Sequence, residues 1–148
     1  MQRRRPLILC IDDYESTLLG WKMVLESAGY EVVAASDYRE GLQLFMSRNV
    51  DEVVLDYEMP GMTGDVLAAR MKQTQPDIRI LLLSGDSSLP KDKLKNVDAF
   101  LPKAEGVDVF LASVKALLPT PVVSLAASPS DDFASAVTVA ESNPPKAA

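Results

Sequence analysis

Asp12-Asp13, Asp56, Ser84 and Lys103 are the side chains whose types and positions could together do chemistry in this 148-residue chain. Each follows a short apolar run, so a fold that brings the ends of those runs together would put an acid pair, a third acid, a hydroxyl and an ammonium in one place. Three carboxylates so close repel one another unless a cation neutralises them. A hard divalent cation suits them best, because magnesium takes oxygen ligands and is usually held by one or two carboxylates plus a phosphate. That leaves one carboxylate, for which Asp56 is the candidate, to attack a phosphoryl group and form an acyl phosphate. The metal and Lys103 would neutralise the equatorial oxygens, and Ser84 would donate a hydrogen bond to one of them. Singly, each residue has a plainer role: Asp-Asp after a strand caps a helix or closes a turn, a Ser there is a loop residue, and a Lys is solvated. Their joint occurrence in this order is what favours a site.

The elements that must position these residues are legible as alternating patterns. Leu7 to Ile11, Glu31 to Ala35, Glu52 to Leu55, Ile78 to Leu83 and Val97 to Leu101 read as five strands. Runs such as Leu7-Ile8-Leu9-Cys10-Ile11 do not alternate with polar residues, as expected of parallel strands covered on both faces. Amphipathic segments lie between them. Leu18, Trp21, Leu25 and Ala28 fall on one helical face with Gly29 as a stop, and Gly41 to Met46 and Val66 to Met71 sit in similar segments. The alternation predicts an α/β fold with a doubly wound parallel sheet, in which ligands sit beyond the carboxyl ends of the strands.

Composition narrows the chemistry. The chain has no His and one Cys, which removes Ser-His and Cys-His pairs, His-ligated metals, zinc clusters and an internal disulfide. A formal net charge of -6 offers no cationic footprint for nucleic acid. No apolar run reaches the roughly eighteen residues of a membrane span, and the basic Gln2 to Arg5 stretch leads into too short an apolar segment for a signal sequence. The expected location is cytoplasmic. From Pro119 onward 30 residues hold 5 of the 10 Pro, 7 Ala and 5 Ser, so 119–148 reads as a disordered tail and 5–118 as the folded unit. Docking of Val122, Val123 and Leu125 on a sheet edge or a neighbouring molecule is the other reading of the tail.

Four segments carry a resemblance: Ile8-Leu9-Cys10-Ile11-Asp12-Asp13, Val53-Val54-Leu55-Asp56-Tyr57-Glu58-Met59-Pro60-Gly61-Met62-Thr63-Gly64, Leu82-Leu83-Ser84-Gly85 and Asp98-Ala99-Phe100-Leu101-Pro102-Lys103. Together they resemble the receiver domain of two-component response regulators over about residues 6–118, and the second is close to diagnostic. The resemblance implies the flavodoxin-like strand order 2-1-3-4-5. It implies that Asp56 accepts a phosphoryl group from a sensor histidine kinase or a histidine phosphotransfer protein, and that the chain signals to a downstream protein. It further implies magnesium held directly by Asp13 and Asp56, through water by Asp12, and by the backbone carbonyl of Glu58. Ser84 and Phe100 would be the switch pair moving toward the phosphoryl group. Pro60, Gly61 and Gly64 suit a tight loop beside such a site before Asp65 opens the next helix, and Gly85 leaves space for a donor.

Departures from the family pattern lie near the fifth strand. Ala104 follows Lys103 where the family usually has Pro; a cis bond there would cost about 3–4 kcal/mol, so a trans bond or an unusual strained loop is expected. The interval from Ser84 to Lys103 is short, and Ser87 to Asn96 is polar with Pro90 in it, so the fourth helix is expected to be brief or irregular. Glu58 and Asp86 flank the site either as solvated loop acids or as groups that tune hydrolysis. Met59, Met62, Met71 and Trp21 read as packing or partner surface, and the plain reading of Phe100 is core. The leading expectation is a stand-alone response regulator rather than an enzyme. The rivals are a small phosphohydrolase with an aspartyl nucleophile, for which Glu58 has the spacing of a general acid, and a scaffold that is never phosphorylated.

Overall fold

The strand and helix positions follow from which residues can be covered on two faces. In the computed structural model, which describes residues 4–119, the strands are β1 (Leu7–Ile11), β2 (Glu31–Ala35), β3 (Glu52–Asp56), β4 (Arg79–Ser84) and β5 (Ala99–Pro102). The helices are α1 (Glu15–Ser27), α2 (Tyr38–Ser47), α3 (Gly64–Thr74) and α4 (Val107–Leu117). All strand pairs are parallel and their order is β2-β1-β3-β4-β5. β1 and β3 lie inside the sheet and every residue of each is buried, which is why their sequences are continuous rather than alternating.

Side chains of β1 alternate between two cores. Leu7, Leu9 and Ile11 join Phe45 of α2 and Leu67, Ala68 and Met71 of α3 on one face. Ile8 and Cys10 join Leu18 and Leu25 of α1 and Phe110 and Val114 of α4 on the other. The sheet is thus a partition, and its carboxyl edge is the one line where residues from β1, β3, β4 and β5 can meet.

The structure adjusts several sequence expectations. Gly29 does stop α1, with φ at 99°, but Ala28 is an exposed cap residue rather than part of the buried face. α3 begins at Gly64 after Thr63, so Asp65 lies in its first turn and does not open it. Gly64 is forced by space, since a Cβ there would lie 2.4 Å from the Asp56 carbonyl oxygen and 2.8 Å from Leu82 Cδ1.

Between β4 and β5 there is no α-helix, only a 3-10 turn at Lys91–Lys93. Side-chain ties take over part of the missing helix's work. Asp98 accepts hydrogen bonds from Lys72 Nζ at 2.7 Å, the Ile80 amide at 2.8 Å and Arg79 at 3.3 Å, and Leu89, Leu94 and Val97 pack against the core. Burial alone would raise the Asp98 carboxyl, but these donors hold it below its ordinary value. Because Asp98 caps the entry so closely, β5 begins at Ala99, two residues later than the apolar run suggests. There is no cis peptide bond among the described residues, so Lys103-Ala104 is trans. The 119–148 segment expected to form a tail lies outside the described residues, apart from Pro119.

Candidate functional site

The carboxyl edge of the sheet gathers Asp12, Asp13, Asp56, Ser84 and Lys103. Asp12 follows β1, Asp56 ends β3, Ser84 ends β4 and Lys103 follows β5. The Asp12, Asp56 and Ser84 side chains are buried. The register explains the meeting: Asp56 pairs with Leu83 and Ser84 with Pro102, while the Lys103 amide donates to the Ser84 carbonyl at 2.7 Å.

Asp12, Asp13 and Asp56 each offer a carboxylate oxygen, and these oxygens lie within 4.8 Å of one another. Asp13 Oδ1 is buried and accepts no hydrogen bond, which costs folding free energy unless something cationic uses it. An all-oxygen donor set with an orphaned anionic oxygen fits magnesium in charge and in ligand type. Asp12 serves a second purpose, because its Oδ1 accepts the Tyr14 amide at 2.8 Å and so shapes the turn into α1. The plain turn role and the site role coexist in one residue.

Lys103 is the countercharge. Its Nζ lies 3.0 Å from Asp12 Oδ2 and 3.0 Å from Asp56 Oδ1. Burial pushes the Asp56 carboxyl up to about 7, against the hydrogen bond from Lys103, which pulls it down; the Asp12 and Glu58 charges add to the rise. Burial pulls Lys103 down, but the hydrogen bonds and charges of Asp56 and Asp12 outweigh it, and its net shift is upward. The ion pair keeps the lysine charged and offsets part of the burial that raises Asp56.

Two features were not read from the sequence. The Glu58 side chain, considered only as a loop acid or a hydrolytic group, accepts the Ser84 hydroxyl at 2.6 Å. Trp21, read only as packing or partner surface, lies with its ring 5.8 Å from Lys103 Nζ and stacks on Phe110 at 6.1 Å. Trp21, Leu83, Leu101, Lys103 and Phe110 line an apolar groove of about 260 Å³ between α1 and α4. Helical spacing places Trp21 on the apolar face of α1 with Leu18 and Leu25, but its approach to Lys103 depends on how the loop after β5 turns back. Phe100 is half-buried against the core face that holds Leu82, its neighbour in β4. Gly61 takes φ of 85° beside Tyr38, a conformation that suits glycine and closes the loop after Asp56. Gly85 has open space around it.

Residues 8–115 match the model of the response regulator receiver domain. The chain belongs to that family. Receiver domains of this family are phosphorylated on an aspartate. Among curated relatives, the response regulator MprA of Mycolicibacterium vanbaalenii is 34% identical over 115 residues, 75% of this chain and 49% of the relative. The chain thus spans about half the length of the MprA proteins it matches. Among solved structures, Thermotoga maritima TrrA in complex with Mg²⁺ and BeF aligns with a TM-score of 0.73 and 33% identity over 76% of this receiver and 99% of TrrA. TrrA in complex with the histidine kinase ThkA aligns at 0.71 and 32% identity, covering 77% of this receiver and 99% of TrrA. No helix among the described residues is long and apolar enough to cross a membrane.

Proposed function

We propose that Asp56 is the phosphoacceptor of this receiver. The observation that carries the reading is the buried Asp56 carboxylate at the end of a central strand, with Asp12 and Asp13 oxygens beside it and Lys103 Nζ at 3.0 Å. Its donor is a phosphohistidine on a sensor histidine kinase or a histidine phosphotransfer protein. An Asp56 carboxylate oxygen forms a bond to phosphorus, the phosphorus–nitrogen bond breaks, and the imidazole leaves with the electron pair and takes up a proton. The product is an acyl phosphate. Asp12, Asp13, Asp56 and the Glu58 carbonyl would hold magnesium, whose charge offsets that of the transferring oxygens. Lys103 exchanges a carboxylate for a phosphoryl oxygen, keeping a charge-assisted bond throughout.

Ser84 and Phe100 form the switch. The Ser84 hydroxyl turns to the phosphoryl group, and the half-buried Phe100 ring, on the same side of β4 and β5, follows it. Exposed Tyr14 and Leu19 at the start of α1, with Val107 and Val109 at the start of α4, offer apolar side chains of the kind that contacts with a protein donor use. The receiver spans 5–118, works in the cytoplasm and passes the signal to a downstream protein. The test is incubation with acetyl phosphate and Mg²⁺. Uptake of one phosphoryl group per chain is expected, whereas continuous turnover of the ester without a stable adduct would favour the phosphohydrolase.

A further inference from the structure

The single proton of the Ser84 hydroxyl is committed before any phosphoryl group arrives. Its oxygen accepts the Asp86 amide at 3.0 Å, and its one proton goes to Glu58 Oε2 at 2.6 Å. The other Glu58 oxygen receives the Gly85 amide at 3.4 Å. A serine hydroxyl has a single O–H to give. The bond to Glu58 and the bond to a phosphoryl oxygen on Asp56 are therefore mutually exclusive. Glu58 starts two residues after Asp56, on the loop that surrounds the phosphosite, and Ser84 ends β4, so this contact ties that loop to the strand that must move. It is a short bond to a carboxylate, the stronger class of hydrogen bond, and Ser84 itself is buried.

We propose that Glu58 is a positioning residue that latches Ser84 in the unphosphorylated conformation and so sets the threshold for switching. The proposal rests on Asp56 being the phosphoacceptor. A phosphoryl group competes with the Glu58 carboxylate for one proton and also repels that carboxylate, so phosphorylation opens the latch from both sides. Without the latch, the Ser84-inward conformer is more populated at rest, and ligands selective for it bind more tightly. The segment after Ser84 makes the device local: with only a 3-10 turn between β4 and β5, Gly85 and Asp86 are held at the site chiefly by these same bonds.

Charge removal alone would also strengthen binding of an anionic phosphoryl mimic, so the test must separate the two effects. Beryllofluoride affinity at saturating Mg²⁺, read by 19F NMR, is measured for the wild type, Glu58→Gln, Glu58→Ala, Ser84→Ala and the Glu58→Ala/Ser84→Ala pair. Glu58→Gln loses the charge but keeps an acceptor for the hydroxyl. The expected result is tightening of about tenfold for Glu58→Ala when Ser84 is present and about threefold or less when it is not, with Glu58→Gln between wild type and Glu58→Ala. In addition, the Gly85 and Asp86 amide resonances of unliganded Glu58→Ala should move toward their beryllofluoride-bound positions. Equal tightening in both Ser84 backgrounds, or no movement of the two amides, would reduce Glu58 to a simple repulsive charge and overturn the latch. Wild-type protein that binds no beryllofluoride would refute the phosphoacceptor reading, and the latch with it.

Discussion

Asp13 Oδ1, a buried carboxylate oxygen without a donor, makes the site unstable by itself and receptive to a cation. Asp13→Ala is therefore expected to abolish Mg²⁺ binding in titrations while raising the urea midpoint in chelator, by an amount corresponding to about 1 kcal/mol. A variant that still titrates with Mg²⁺ would remove Asp13 from the ligand set. Lys103→Ala should still accept phosphate but respond weakly in partner binding, because the charge that couples the phosphoryl group to the moved conformer is gone. A full response from the phosphorylated variant would place the coupling elsewhere. Far from the site, Glu52 is buried with both oxygens unpartnered, and burial with the nearby Asp98 charge pushes its carboxyl up to about 9. Its folded-state proton affinity exceeds that of the unfolded chain, so its protonation favours folding at low pH and that advantage is lost as pH rises from about 4.5 through about 9. Glu52→Gln should remove this slope, gaining stability over the wild type by up to a few kcal/mol at alkaline pH. Parallel pH profiles of the denaturation midpoint would refute it.

At the scale of elements, the strands were legible because β1, β3 and β4 are apolar on both faces, and the strand-end residues were legible because parallel strands all deliver their ends to one edge. The meeting of Asp12, Asp13, Asp56, Ser84 and Lys103 at that edge thus followed from the order of the strand ends. What could not be read is what depends on side-chain direction across loops: Glu58 reaches Ser84 over 26 positions, and no spacing rule covers such a contact. That the segment between β4 and β5 forms no regular helix was foreshadowed by Pro90 and the polar run around it, but the ties of Asp98 to Lys72 and Arg79 were not, since those three come from the entry to β5, α3 and β4. Gly64 offers the sharpest test of loop geometry. Its missing Cβ lets α3 start against the Asp56 carbonyl, so Gly64→Ala should cost about 1–3 kcal/mol and slow phosphorylation together. Unchanged stability and rate would show that the loop has more room than the contacts indicate.

On the scale of the whole molecule, the sheet divides two cores and concentrates charge at one edge, so a small change in bonding there can bias both faces. Every proposed site residue and both cores precede Pro119, and truncation after Leu118 should therefore leave phosphorylation unchanged and the melting temperature within a few degrees. A larger fall would assign 119–148 to the fold or to an interface. Borohydride reduction after incubation with acetyl phosphate and Mg²⁺ converts an aspartyl phosphate to homoserine, which peptide mass mapping locates directly. Homoserine at position 56 in the wild type, with none in Asp56→Asn, is the expected result; homoserine at position 12 or 13 with residue 56 unmodified would contradict the account.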